Sequence, residues 1–148
     1  MRLSILVCIA ALALGCQPRD ERPGMWVRGE PVEQRVDDWS FTGEVDEIFI
    51  ETRSWYGLPH STTIWCVEHD GRLFIGSYGN EKKAWEENVA RRPEAKLAIQ
   101  GRTYAVTVTP VTDPDLSEAL DARYARKYDM REVFGEALPD WWYYEVTQ

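Results

Sequence analysis

Short apolar runs separated by polar turns recur after residue 43, and this pattern predicts a protein built mainly of strands. Six segments are rich in β-branched and aromatic residues; they are residues 44–52, 62–68, 72–78, 94–100, 102–109 and 141–146. Asp70-Gly71 separates the second from the third, and Gly101 the fourth from the fifth. Asp-Gly favours the positive φ angles of tight hairpin turns. The pattern therefore predicts two antiparallel hairpins, with a loop at residues 53–60 before the first.

Two amphipathic helices interrupt the strands. Asn80 is a good N-cap for the first, and Trp85 and Val89 form a modest apolar stripe that ends before Pro93. The second combines an N-cap aspartate at 113 with proline at the first helical position, and we expect it to last until about Lys127. Its apolar face has a spacing of four residues and consists of Leu116, Leu120, Tyr124 and Tyr128.

The N-terminal residues have the pattern of an export signal. Arg2 precedes an apolar run too short to span a bilayer comfortably, and Gly15-Cys16 follows. This segment resembles a bacterial lipoprotein signal, which implies that Cys16 becomes the lipidated N-terminus; the alternative is an ordinary secretory signal with a chance cysteine. We expect a signal peptide at residues 1–15, a lipid-anchored polar tether at 16–32 and one domain at 33–148. The expected location is the bacterial cell envelope, membrane-anchored and facing the periplasm.

Charge limits the classes of partner that the chain can bind, and its cysteines and histidines limit the chemistry that it can carry out. The chain has 17 basic and 25 acidic residues and a net charge of −8, which disfavours nucleic acid and anionic membrane surfaces. Cys8 leaves with the signal, so Cys66 is the one cysteine left after Cys16, and we expect it to be a buried apolar residue rather than a nucleophile. His60 and His69 are the only histidines, and their spacing predicts no metal site.

The order strand, hairpin, helix, hairpin, helix, strand resembles the FMN-binding split barrel of pyridoxamine 5′-phosphate oxidase-like proteins. It is also similar to the deazaflavin-dependent nitroreductase and quinone reductase group, whose helix matches Trp85 and Asn88 before Arg92-Pro93. The resemblance implies a mostly β protein with two helices, folded as an antiparallel split β-barrel. It further implies FMN or a deazaflavin as cofactor, and a homodimer.

Site residues follow from the same resemblance. Residues on the loop before the first helix would hold the cofactor phosphate: Ser77, Tyr78, Asn80, Lys82 and Lys83. Residues of the neighbouring strand and of the helix would contact the ring or its ribityl chain: Arg53, Ser61, Thr62 and Trp85. The alternative interpretation is a capped surface helix on which Lys82 pairs with Glu86, and Lys83 with Glu87, four residues later. For His60, in a loop with glycine and proline, we expect simple exposure.

Two functions remain open from the sequence. The first is a lipid-anchored reductase of a small organic acceptor that uses FMN or a deazaflavin. The second is a non-catalytic lipoprotein that kept the barrel and binds a small ligand or a protein partner. Glu81 favours the second, because the oxidase-type pattern has an arginine there and a carboxylate repels phosphate. A nucleophilic enzyme that uses Cys66 is the least favoured alternative.

Overall fold

A computed structural model describes residues 24–148; the predicted signal peptide, Cys16 and the first part of the tether lie outside these residues. The strands are β1 (Glu30–Pro31), β2 (Glu47–Arg53), β3 (Pro59–His69), β4 (Arg72–Tyr78), β5 (Glu94–Ile99), β6 (Arg102–Pro110) and β7 (Trp141–Thr147). The helices are α1 (Ala84–Arg91), α2 (Pro114–Lys127) and α3 (Met130–Phe134), with a 3₁₀ turn at Ser40–Thr42. Within residues 24–148, no helix combines the length and apolar character needed to cross a membrane.

The six longer strands form a closed antiparallel barrel. Neighbouring strands follow the order β6-β5-β2-β3-β4-β7, and β7 pairs back onto β6 to close the ring. The short strand β1 adds to β6 in parallel. This architecture confirms the predicted split-barrel fold.

Both predicted hairpins are confirmed, and each turns through two residues of positive φ. Asp70 (φ 53°) and Gly71 (φ 74°) join β3 to β4. Gln100 (φ 47°) and Gly101 (φ 79°) join β5 to β6 in the same way. Two positive φ angles in a two-residue loop match the right-handed twist of paired strands, which explains why glycine stands second in each turn.

Two apolar clusters hold the molecule together. The first fills the barrel and includes Trp85 and Val89 of α1, as the predicted stripe requires. The second lies between the outer face of the barrel and α2, and consists of Val67, Phe74, Leu120, Tyr124 and Tyr143. The predicted face of α2 is therefore the face that packs on the sheet, and the helix ends at Lys127 as expected.

Polar contacts fix the end of α2 to the barrel. The Lys127 ammonium donates to the backbone carbonyls of Val45 and Cys66, the latter at 2.9 Å. The Tyr128 hydroxyl donates to the same Cys66 carbonyl at 2.7 Å and accepts from the Cys66 N–H at 3.1 Å. These bonds tie the end of α2 to β3 at Cys66 and to the segment before β2 at Val45.

Three local expectations were wrong. Helix α1 begins at Ala84, with Lys83 as its N-cap, and not at Asn80. The physical reason is the Glu86 carboxylate, which accepts the Lys83 N–H at 2.9 Å and so fixes the first turn three residues later than predicted. Strand β3 begins at Pro59, inside the predicted loop, because it continues to pair with β2 as far as Arg53. Helix α3 was not predicted.

Residues 24–32, assigned to the tether from the sequence, contact the barrel. The Ser61 N–H donates to the Gly24 carbonyl at 2.8 Å, and the Val27 N–H donates to the Glu51 carboxylate at 2.8 Å. Val27 is buried, and Val32 packs against the barrel core. The folded part of the chain therefore starts no later than Gly24.

Candidate functional site

The barrel opens between β3 and β4. These strands pair only from Cys66 to His69 against Arg72 to Ile75. Beyond Cys66 toward the start of β3, residues 59–65 pair with β2 and not with β4, and Ser61 also bridges to Gly24, whereas residues 76–78 of β4 pair with β7. Because the two strands diverge, a gap forms between them, and the start of α1 lies at this gap.

A cavity of about 640 Å³ occupies the gap and continues over the outer face of the barrel toward α3. Residues of β2, β3, β4, α3 and β7 and of the start of α1 contribute to its lining: Glu47, Phe49, His60, Thr62, Thr63, Ile64, Trp65, Gly76, Tyr78, Lys83, Ala84, Trp85, Val133, Phe134 and Trp141. We name Trp65, Tyr78, Phe134 and Trp141 the aromatic wall. Within it, the rings of Tyr78 and Phe134 lie 4.7 Å apart and those of Tyr78 and Trp141 lie 5.0 Å apart.

Gly76 allows the aromatic wall to approach β4. A Cβ atom at this position would lie 2.9 Å from the hydroxyl oxygen of Tyr124 and 3.1 Å from a ring carbon of Trp141. The Tyr124 hydroxyl in turn donates to the Trp65 carbonyl at 3.1 Å. Glycine is therefore required here by space.

A buried carboxylate organises the start of α1. Glu86 is 1% exposed. It accepts hydrogen bonds from the Ser77 hydroxyl at 2.7 Å, the Tyr144 hydroxyl at 2.8 Å, the Trp142 ring N–H and the Lys83 N–H. Burial alone raises the pKa of Glu86, but these hydrogen bonds outweigh it and hold the pKa below its ordinary value. The carboxylate therefore stays charged inside the protein.

The two lysines predicted to share a phosphate point to different places. The Lys82 ammonium lies 3.4 Å from Glu86 and 4.1 Å from the centre of the Trp142 ring, outside the cavity lining. Lys83 lines the cavity, with its ammonium 3.6 Å from the centre of the Tyr78 ring. Burial lowers the pKa of Lys83, and the Glu86 charge opposes that change. The predicted surface pair of Lys82 with Glu86 exists, but its carboxylate is buried rather than exposed.

Four of the nine predicted cofactor residues line the cavity: Thr62, Tyr78, Lys83 and Trp85. The other five lie elsewhere. The Arg53 guanidinium donates to the Gly57 carbonyl at 3.1 Å, and Ser77 is occupied by Glu86. Ser61 is buried beside Gly24, Asn80 is exposed, and Lys82 is held as described above. Whether any of the nine binds a cofactor stays a prediction.

Several lining residues were not predicted as site residues. Phe49 lies in β2, and its place in the lining depends on strand register. Phe134 lies in α3, a helix that was not predicted. The alternation of β2 was the available signal for Phe49, since Ile48 and Ile50 face the core and their neighbour must face outward. His60 was expected to be simply exposed, but it is half-buried, and Trp141 is the first residue of β7. Their ring nitrogens Nδ1 and Nε1 are buried and have no hydrogen-bond partner among residues 24–148.

Cys66 plays no part in the cavity. Its side chain is fully buried in the barrel core, as predicted. Burial raises the pKa of the Cys66 thiol to about 11, although the Lys127 ammonium partly opposes the change. Such a thiol is protonated at neutral pH and is a poor nucleophile. Across residues 24–148, no group of three or more His, Cys, Asp or Glu side chains is placed to hold a metal ion.

Several solved structures are similar to this one. One is described as a domain-swapped dimer (13% identity, TM-score 0.54, covering 68% of this chain and 81% of that chain). A second is a candidate pyridoxamine 5′-phosphate oxidase from Listeria innocua (16% identity, TM-score 0.53, covering 73% of this chain and 87% of that chain). A third is a FAD-binding protein from Mesorhizobium loti (11% identity, TM-score 0.50, covering 73% of this chain and 83% of that chain). At these identities the likeness shows the fold, and the protein is a split barrel of the type found in flavin-binding proteins.

A family model matches residues 41–138, and the chain belongs to this family, described as an uncharacterized protein conserved in bacteria (DUF2255). No curated protein matches the chain in sequence. The family match covers the barrel from the 3₁₀ turn through α3 and so includes most of the cavity.

Proposed function

We propose that the protein binds a flavin or deazaflavin in the cavity beside the β3–β4 gap and uses it to reduce a small organic acceptor. The observation that carries the proposal is a cavity walled by aromatic rings, with the Lys83 ammonium in its lining. A flavin ring has apolar faces and a polar rim, so this lining fits it.

Individual residues have separate parts in this proposal. The aromatic wall would cover one face of the ring, and Phe49 and Trp85 also belong to the lining. Lys83, beside the first N–H groups of α1, would attract a phosphate. Glu86 would act indirectly, because it fixes the helix start from which Lys83 projects. When bound, the cofactor would supply the hydride-transfer chemistry, and the protein would supply position and exclusion of water.

Cofactor binding is tested with the chain from Gln17 onward, by visible absorption during titration with FMN and then with a deazaflavin. We expect a shifted spectrum at saturation, and Lys83→Gln should weaken binding by about tenfold, equivalent to about 1.4 kcal/mol. Lys82→Gln is the matched control, since Lys82 lies outside the cavity, and its affinity should stay within about threefold. No binding at high micromolar concentration, or equal effects of the two substitutions, would contradict the proposed site.

A second candidate is a non-catalytic protein that holds a small ligand without phosphate in the same cavity. The favouring observation is that Lys83 is the one lysine or arginine among the lining residues, with the Glu47 carboxylate also present. Denaturation of protein purified from its native host distinguishes the two. Stoichiometric release of a yellow or deazaflavin-like chromophore supports the reductase, and release of a colourless ligand supports the second candidate.

We also propose that the protein is anchored in the cell envelope through a lipidated Cys16; the support is the sequence of the first sixteen residues. A clickable fatty acid fed to the native host should label the wild type and not Cys16→Ser. Cys66→Ser is the control, and it should label normally because Cys66 is buried. Labelling of Cys16→Ser would overturn the anchor.

We propose in addition that the protein is a homodimer, as the dimeric neighbour of the same fold supports. Light scattering of the chain from Gln17 onward, over a hundredfold range of concentration, tests it. A mass of one protomer throughout would show that the protein is a monomer.

A further inference from the structure

A short loop at one end of the barrel exposes large apolar side chains. It joins β2 to β3, and Trp55, Tyr56 and Leu58 within it are 79%, 61% and 51% exposed. The rings of Trp55 and Tyr56 contact each other at 5.2 Å, edge to face. Soluble surfaces seldom present two adjacent aromatic residues in this way without a partner.

The loop is built to hold these side chains in place. The Ser54 N–H and hydroxyl both donate to the Leu58 carbonyl, at 2.9 and 2.6 Å. The Gly57 N–H donates to the Ser54 carbonyl at 2.9 Å. Arg53 donates to the Gly57 carbonyl. Because backbone and side-chain bonds close the loop, the aromatic residues project from a defined turn.

The segment from Gly24 to Val27 adds two more exposed apolar residues at the same end of the barrel. Gly24 bonds to Ser61, and Val27 bonds to Glu51, which is the direct strand partner of Ser61. Between these two contacts, Met25 and Trp26 are 38% and 62% exposed. Glu51 lies only two residues before the end of β2, which corresponds to about 7 Å along the strand. We name Met25, Trp26, Trp55, Tyr56 and Leu58 the docking patch.

The length of chain between Cys16 and this patch bears on what could cover it. Cys16 precedes Gly24 by eight residues, and a fully extended chain spans at most about 3.3–3.6 Å per residue, or roughly 29 Å in all. A lipid on Cys16 would therefore keep this end of the barrel close to the bilayer. Tryptophan and tyrosine favour the boundary between headgroups and acyl chains, where one side of the ring is apolar and the other is wet.

We infer that the docking patch inserts into the headgroup region of a phospholipid bilayer, so that the barrel lies against the membrane to which Cys16 holds it. This inference rests on the proposed anchoring for its orientation. The net negative charge of the chain makes the interaction one of apolar and aromatic contact rather than attraction to anionic lipid. The preferred surface is accordingly a neutral, zwitterionic one.

The test uses the non-acylated chain from Gln17, which retains every residue that the structure describes, and vesicles of phosphatidylcholine. Co-sedimentation should detect binding that changes little in 0.5 M NaCl. The triple variant Trp55→Ser, Tyr56→Ser and Leu58→Ser should weaken it at least tenfold. The matched control, Phe41→Ser with Leu138→Ser, removes exposed apolar side chains from other surfaces and should change it less than twofold. Far-UV circular dichroism checks that both variants fold.

Each other outcome overturns the docking inference. These outcomes are no binding of the wild type to neutral vesicles, equal binding of both variants, binding confined to anionic vesicles and lost in salt, or a patch variant that changes only the oligomeric state. The anchor is judged separately by fatty-acid labelling. An unlabelled Cys16 with patch-dependent binding would refute the anchor alone, whereas a labelled Cys16 with no patch-dependent binding would refute the docking alone.

Discussion

Glu86 shows how one residue can position several others. Its carboxylate has no access to solvent, yet it is kept charged by donors from β4, β7 and the start of α1. A buried charge of this kind is tolerated only when its oxygens are saturated with hydrogen bonds. Its effect is to join two strands and a helix at the edge of the cavity, and to separate Lys82 from Lys83.

Glu86→Gln should therefore reduce the free energy of unfolding by about 1.5–3 kcal/mol, because the amide group presents N–H donors to groups that are themselves donors. Urea denaturation followed by tryptophan fluorescence measures the change. Glu87→Gln is the control: its carboxylate is more than half exposed, and its effect should stay within about 0.5 kcal/mol. Equal effects of the two substitutions would show that the buried network contributes nothing.

The same carboxylate predicts a pH dependence. Since the pKa of Glu86 is lower in the folded than in the unfolded protein, its contribution is complete above the ordinary value of 4.5 and decreases as the pH falls below it toward the folded pKa. The stability difference between wild type and Glu86→Gln should therefore shrink as the pH is lowered from 5 to 3. A difference that is constant or grows over this range would contradict a charged Glu86.

At the scale of elements, local pattern and long-range contact explain different parts of the structure. The two hairpins could be predicted because their turns depend on adjacent residues such as Asp70 and Gly71. The start of α1 could not, because it depends on burial of Glu86 against Tyr144, which lies 58 residues away. The cavity was beyond prediction for the same reason, since the β3–β4 gap is a property of strand register.

The Lys127 ammonium adds polar contacts to the apolar packing of α2 on the barrel. Lys127→Met keeps the length of the side chain but removes the donor to the Val45 and Cys66 carbonyls. We expect a loss of about 1–3 kcal/mol in the free energy of unfolding, measured in urea. Arg126→Met is the control, because Arg126 is exposed on the same turn. If the two variants were equally stable, the hydrogen bonds from Lys127 to the barrel would contribute nothing to stability.

At the scale of the whole molecule, residues 24–31 are part of the folded domain because they contact the barrel. A chain that begins at Val32 loses the burial of Val27 and the β1 pairing, so its free energy of unfolding should be lower by about 1.5–3 kcal/mol than that of a chain beginning at Gly24. Chains beginning at Gln17 and at Gly24 should be equally stable. Urea denaturation of the three chains checks this, and equal stability of all three would place the domain boundary after residue 31.

The β3–β4 gap also bears on self-association. An unpaired strand edge is a template on which another chain can add a strand, and natural proteins often protect such edges with lysine. Here the diverging edges meet Lys83 at the start of α1. The group proposed to attract a cofactor phosphate would then also protect the edge from strand addition. Loss of its charge should make the protein both a weaker binder and more prone to aggregate as its concentration rises.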